Sequence, residues 1–153
     1  KARKKQRVAD GTQRGAPPGW TPRGPAPLGA PTLAAQPGEA LSYLCGKWKI
    51  FQGGGLRYST DDVVTAAVAA SAVGLDSAGG DVPGAPPPTE ASKFCHLDLG
   101  CGQGSVLLMM LWRLRQAWSE RRLISVGLEA QSARAERARR SAAFNIGHGC
   151  HNK

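Results

Sequence analysis

The chain lacks long apolar runs, paired cysteines and any glycine period, and it is poor in acids. Its longest apolar run, Val106 to Trp112, is far short of the ~20 residues of a bilayer span, which excludes a transmembrane helix. Cys45, Cys95, Cys101 and Cys150 include no CxxC pair. That excludes a zinc ribbon and a small secreted disulfide scaffold. Free thiols in a reducing, intracellular compartment are the expectation, with the cytoplasm first and nucleus or organelle as alternatives. His148, Cys150 and His151 lie close together, but no second cluster completes a tetrahedron, so no metal site is expected. The 20 glycines follow no three-residue repeat, which excludes collagen. Acids number 11 against 20 Lys and Arg, leaving +9. That surplus favours a polyanionic partner, because each neutralised phosphate releases a condensed counterion.

Proline is unevenly placed: seven of the 11 precede residue 38, and four lie between Pro83 and Pro88. Residues 1–38 read as a disordered basic tail. They carry Lys1, Arg3, Lys4, Lys5, Arg7, Arg14 and Arg23 against Asp10, with too few large apolar groups to offset the ordering entropy. Its KARKKQR opening fits a nuclear-localisation signal, an RNA-contacting patch, a presequence remnant or a solubilising tail. The absence of an initiator Met reads as a processed form or a cut fragment. Residues 74–91 read as a flexible insert. The rest, roughly 100 residues, is enough for one modest core.

Residues 39–73 are expected to supply a strand and a helix. Lys47 to Phe51 alternates basic and apolar residues, as a half-buried strand does, and Gly53-Gly54-Gly55 breaks it. Ser59 and Thr60 are N-cap candidates, with Asp61 and Asp62 in the first turn of a helix that Gly74 ends. In residues 92–153, Phe94–Leu99 reads as a buried parallel strand and 100–104 as a glycine turn. A helix over 105–118 follows, with Leu107, Met110, Leu111, Leu114 and Trp118 on one face. A second strand covers 123–128. A second helix over 132–144 turns Ala135, Ala138 and Ala142 toward a sheet and carries Arg134, Arg137, Arg139 and Arg140 on its other faces. The fold class is α/β: a Rossmann-like βαβα unit at 93–146 with a right-handed parallel crossover.

In DLGCGQG, Gly100, Gly102 and Gly104 let the backbone turn sharply out of the strand and approach a ligand with no Cβ in the way. The loop lies at the carboxyl end of a strand and opens a helix, where open α/β sheets place ligands. Asp98 adds a carboxylate at that strand end. Glu129, closing the next strand, is suited to accept hydrogen bonds from both hydroxyls of a ribose. Loop and acid together specify a nucleoside-bearing cofactor.

Asp98 stands two residues before the first glycine, so HLDLGCGQGSV resembles motif I (near D-x-G-x-G-x-G) of the class I S-adenosylmethionine-dependent methyltransferases. The resemblance implies S-adenosylmethionine as cofactor, held by Asp98, Gly100, Cys101, Gly102 and Gly104. Glu129 would hold the ribose and Ala130 would lie beside the adenine. Residues 129–145 are similar to the family's second-helix pattern, with Ser141 where an asparagine is usual and a longer interval from Asp98 to Glu129. KIFQGGGLRYSTDDVVTAA is similar to the stretch preceding motif I in bacterial tRNA methyltransferases acting on the exocyclic amine of adenine. That likeness sets Gln52, Arg57, Tyr58, Thr60 and Asp61 at the cofactor's border, whereas helix capping alone also explains Thr60 and Asp61.

A complete domain of this family has seven strands and an Asn/Asp-Pro-Pro-Tyr/Phe turn that grips the acceptor amine. That turn is absent from this sequence, so no catalytic residue is named. The chain reads as the cofactor half, ending before the third core strand, with weak cofactor binding in isolation. The expected function is methylation of a tRNA or rRNA adenine amine. The alternatives are a protein side-chain methyltransferase, or a non-catalytic relative that binds RNA or a partner through the four arginines, which as a charge run also suit a solvated helix face.

Overall fold

The structure, a computed structural model, describes residues 23–29, 32–75, 93–118 and 122–147. Most of the expected tail, residues 76–91 of the expected insert, residues 119–121 and the His148–His151 cluster lie outside these. The elements run β1 (Glu39–Cys45), β2 (Trp48–Gly53), α1 (Thr60–Ala72), β3 (Phe94–Leu99), α2 (Ser105–Ala117), β4 (Leu123–Leu128) and α3 (Ser132–Ile146). They form a small α/β arrangement with a parallel two-strand sheet flanked by helices, compatible with a Rossmann-like unit.

Among the described residues the strands form two separate sheets. β3 and β4 pair in parallel, with Phe94 opposite Leu123 and Leu99 opposite Leu128. β1 and β2 form an antiparallel hairpin turning on Gly46, whose φ of +50° suits glycine. The alternation at 47–51 signalled one strand there. Its partner β1, EALSYLC, carries little alternation, and only pairing with β2 makes it a strand.

Helix α1 starts at Ser59, whose N–H donates to the Asp62 carboxylate at 2.6 Å, a capping box. It ends through Gly74 (φ +75°), whose N–H donates to the Ser71 carbonyl. α2 is buried on more than the one face the spacing indicated. Leu108 and Leu111 meet Trp48 and Ala142 on one side, and Met109 and Met110 meet Ala66 and Ala70 on another. Leu107 is only half-buried, and Leu108 takes its place in the core. A helix packed between two layers has no single apolar stripe, so periodicity gives an incomplete account of it.

α3 packs on β2, not on the parallel sheet. Three side chains supply the free edge of β2 with acceptors. The Lys49 N–H donates to Asn145 Oδ1 (2.9 Å), the Phe51 N–H to Ser141 Oγ (3.0 Å) and the Gly53 N–H to Gln103 Oε1 (2.9 Å). Positions four apart on a helix rise ~6 Å, close to the ~6.6 Å of two strand residues, so Ser141 and Asn145 match alternate amides. Asn145 Nδ2 also donates to the Lys49 carbonyl at 2.6 Å. Glu39 of β1 pairs with Arg137 (3.0 Å) and Arg140 (2.7 Å) of α3, and the Arg140 guanidinium lies 4.3 Å from the centre of the Phe51 ring.

Part of the stretch assigned by composition to the tail lies against this body. The Leu28 N–H donates to the Asn145 carbonyl at 2.9 Å, and Gly24 sits on the Trp112 indole where a Cβ has no room.

Candidate functional site

The glycine loop leaves the carboxyl end of β3 through three left-handed residues, Gly100 (φ +75°), Gly102 (+59°) and Gly104 (+88°). The amides of Gly100 and Cys101 donate to the Leu128 carbonyl at 2.8 and 3.0 Å, anchoring the turn to β4. Gly104 opens α2, and a Cβ there would come within 3.3 Å of Ala138 Cβ. At Gly100 and Gly102 a Cβ would meet nothing within 4 Å, so these two border open space. The middle side chain, Gln103, turns inward: it accepts from Gly53 and donates from Nε2 to the Leu56 carbonyl at 3.2 Å.

Glu129 reaches this loop. Its carboxylate accepts the Gly102 N–H at 2.9 Å through one oxygen and the Gln131 N–H at 2.8 Å through the other. Loop and acid, 27 residues apart between Gly102 and Glu129, therefore meet directly. Each carboxylate oxygen keeps a second lone pair, so acceptor capacity remains. The two acids of the site are shifted in opposite directions. The Gln131 and Gly102 amides hold Glu129 below its usual range. Burial under α2 raises Asp98, against the opposing pull of His96 and of the Leu107 N–H that bonds it. One Asp98 oxygen, Oδ2, is buried with no partner.

A cleft of about 170 Å³ lies between loop and α1, lined by residues that include Arg57, Tyr58, Asp62, Asp98, Gly100, Cys101, Gly102, Ser105 and Arg134. A larger depression of about 320 Å³, between Leu75 and Trp112, includes no part of the loop and carries none of this chemistry. The Tyr58 hydroxyl donates to the Tyr43 carbonyl at 2.9 Å, which fixes the segment above the cleft. Ser105 Oγ donates to Asp62 Oδ1 at 2.9 Å and ties the start of α2 to α1. The Cys101 thiol is raised by burial and by the Asp98 and Glu129 carboxylates, which keeps it protonated and a poor nucleophile.

Asp98, Gly100, Cys101 and Gly102 thus share one cleft, with Gly104 and Glu129 adjoining the same loop. Ala130 is exposed beside Glu129. Thr60 and Asp61 are exposed on the first turn of α1 and do not line the cleft; Asp62 does. Gln52 is buried on β2 outside the lining, and its Oε1 has no partner. Sequence reasoning passed over Asp62 and Ser105 as site residues. In the sequence Asp62 reads only as a first-turn acid, and the Ser59-x-x-Asp62 spacing it completes signals a cap and not a site. Of the four arginines on α3, Arg137 and Arg140 are taken by Glu39 and Arg139 pairs with Glu136, while Arg134 reaches the cleft.

No protein-family model, curated protein or solved structure matches the chain. Among the described residues, no group of three or more His, Cys, Asp or Glu is placed to hold a metal ion, and no helix is long and apolar enough to cross a membrane.

Proposed function

We propose that this chain binds S-adenosylmethionine as a class I methyltransferase unit, with RNA, through the exocyclic amine of a tRNA or rRNA adenine, as the methyl acceptor. The observation that carries the reading is the meeting of Glu129 with Gly102 at the carboxyl ends of two parallel strands, the place where open α/β sheets take their ligands. The residues suit the cofactor on three counts. Gly100 and Gly102 border open space, Asp98 Oδ2 is a buried acceptor in want of a donor, and the Glu129 oxygens retain lone pairs for ribose hydroxyls.

The cofactor would supply an electrophilic methyl group for in-line displacement. The chain's own residues bind and orient. The glycine turn holds backbone close to the ligand, Glu129 fixes the sugar, and Asp98 accepts a hydrogen bond from a cationic or amide group. Arg57 and Arg134 add positive charge at the cleft, which together with the +9 of the whole chain favours a phosphate-bearing acceptor. A protein side-chain methyltransferase would use the same donor site. The non-catalytic reading is weakened, because three of its four contact arginines are committed to Glu39 and Glu136.

Titration calorimetry of the full chain with S-adenosylmethionine, with NAD as control, tests the donor. Binding is expected for the sulfonium cofactor alone, and Glu129→Ala is expected to weaken it about 10-fold or more, as loss of a charged hydrogen-bonding partner does. Unchanged affinity in that variant, or preference for NAD, sinks the proposal. Labelled methyl transfer into unmodified tRNA or rRNA supports the RNA acceptor; label in protein instead favours the side-chain alternative.

A further inference from the structure

Charge is sorted along the molecule. Among the described residues the acids are Glu39, Asp61, Asp62, Asp98, Glu129 and Glu136. Asp61 and Asp62 open α1, while Asp98 and Glu129 stand where β3 and β4 finish, so these four lie at the cleft end. Glu39 and Glu136 are paired with arginines of α3. The far end of the strands, about 20 Å away at ~3.3 Å per residue, has the opposite sign.

That far end gathers cations from separate segments. A Cβ on Gly46, in the hairpin turn, would strike the Arg23 carbonyl and touch the Trp112 indole. Lys47 therefore stands where the 23–29 segment crosses α2. Arg113, next on α2, acts electrostatically on the Cys45 thiol just before the turn. About 7.5 Å further along α2, Trp118 packs its ring on Phe94, with centroids 5.0 Å apart. The Phe94 N–H donates to the Arg122 carbonyl at 3.1 Å, which sets Lys93 and Arg122 side by side where β3 and β4 begin. Arg23, Lys47, Lys93 and Arg122 are all exposed. Residues 1–22, 76–92 and 119–121, which join the body at this end, hold seven basic residues against five acids and leave its sign unchanged. The depression of about 320 Å³ opens here too, lined by Leu75, Trp112, Arg113, Gln116 and Ala117. An indole, a guanidinium and a carboxamide suit a nucleobase, which stacks on aromatic planes and bonds through its edges.

We propose that this end is a contact surface for single-stranded RNA, with phosphates on Arg23, Lys47, Lys93 and Arg122 and a base in the depression beside Trp112 and Gln116. The choice of RNA among polyanions rests on the acceptor reading above. Phosphate contacts set position and orientation, so a strand anchored here approaches the cleft with its register already restricted.

The test is fluorescence anisotropy of a labelled RNA of about 20 nucleotides, as single strand and as duplex, titrated with the full chain from about 50 to 200 mM salt. The single strand is expected to bind ahead of the duplex, with a dissociation constant of the order of 10⁻⁵ M that rises with salt. The triple variant Lys47→Gln/Lys93→Gln/Arg122→Gln should lower the slope of log affinity against log salt by about 2, at ~0.7 per phosphate contact, and weaken binding about 10-fold or more. Its melting should match the parent, because all three side chains are exposed. Gln116→Ala should narrow the preference for the single strand. Arg139→Gln, which removes one charge on α3, should change affinity by less than about 2-fold. Four results overturn the proposal: no binding at ~10⁻⁴ M chain, a preference for duplex, a triple variant that binds like the parent, or an equal loss per charge in Arg139→Gln. Tighter attachment to phosphatidylserine vesicles than to RNA overturns it as well and assigns the end to a membrane. Calorimetry with S-adenosylmethionine is separate: failure to bind the cofactor sinks the reading of the cleft, while the RNA titration decides this surface.

Discussion

β2 and β3 are short strands of equal length that meet their surroundings differently. The outward amides of β2, at Lys49, Phe51 and Gly53, are all taken by side chains of α3 and the glycine loop, and Glu39 on its partner strand is clamped by two arginines. Among the described residues β3 has only β4 beside it; it carries buried polar atoms without partners on its covered face and shows aliphatic residues on the other. The outward backbone amides of the hairpin are satisfied by distant residues, although Trp48 Nε1 and Gln52 Oε1 on β2 are buried without a partner, as are His96 Nδ1, Asp98 Oδ2 and Ser125 Oγ on the parallel pair. What separates the two sheets is exposure: β2 is buried along its length, whereas the parallel pair leaves aliphatic residues open on one face.

The strongest way to break this comparison is to reopen the edge of β2. Asn145→Ala removes an acceptor from the Lys49 N–H and a donor from its carbonyl, in a residue with no solvent exposure. A loss of about 3 kcal/mol is expected, from two buried polar groups left unpaired. Denaturant unfolding measures it, and faster hydrogen exchange at Lys49 localises it.

Glu39→Gln comes next, at about 2 kcal/mol, because two partly buried guanidiniums lose their counter-charge. Burial pushes the Glu39 carboxyl up, but Arg140, the Gln36 amide and Arg137 together outweigh it and hold the group below its ordinary 4.5. A depressed carboxylate stabilises the fold above its unfolded value and loses that contribution as pH falls through the folded one. Melting temperatures taken below pH 4.5 should therefore fall more for the parent than for Glu39→Gln.

Gly104→Ala sharpens the comparison at the junction of the two regions. An L residue at φ +88°, with its Cβ 3.3 Å from that of Ala138, is expected to cost about 1–2 kcal/mol. Ala138→Gly in the same background should recover part of the crowding and none of the backbone strain.

The smallest effect lies at the ligand end. The Gly102 and Gln131 amides should titrate together by NMR below pH 4.5, as Glu129 takes up a proton and releases them. Asp98 has the opposite sign. Raised by burial, it favours the fold while protonated, and that contribution fades as pH rises through its folded value. Amide shifts that move at separate pH values would mean that Glu129 does not bridge loop and strand end.

Much of the second half was legible in the residues. Strands at 94–99 and 123–128 and the glycine turn at Gly100–Gly104 follow from local rules of short apolar runs and glycine freedom, as do, in the first half, the caps of α1 from side-chain acceptors. What stayed hidden depends on distant partners. β1 has no pattern of its own until β2 pairs with it. Ser141, noted only as a departure from a family pattern, and Asn145 serve as acceptors for a strand some 90 residues earlier. Gln103 looked like part of a ligand loop and is committed to Gly53 and Leu56. Arg137 and Arg140 looked like a contact face until Glu39 was found between them.

The sequence alone determined where the chain turns and where carboxylates stand relative to glycines, because backbone freedom and capping act over a few residues. Tertiary structure decided which polar groups are already satisfied, which face of the parallel pair stays bare and which arginine reaches the cleft. Those outcomes depend on which segments meet in space, and no short-range pattern encodes them.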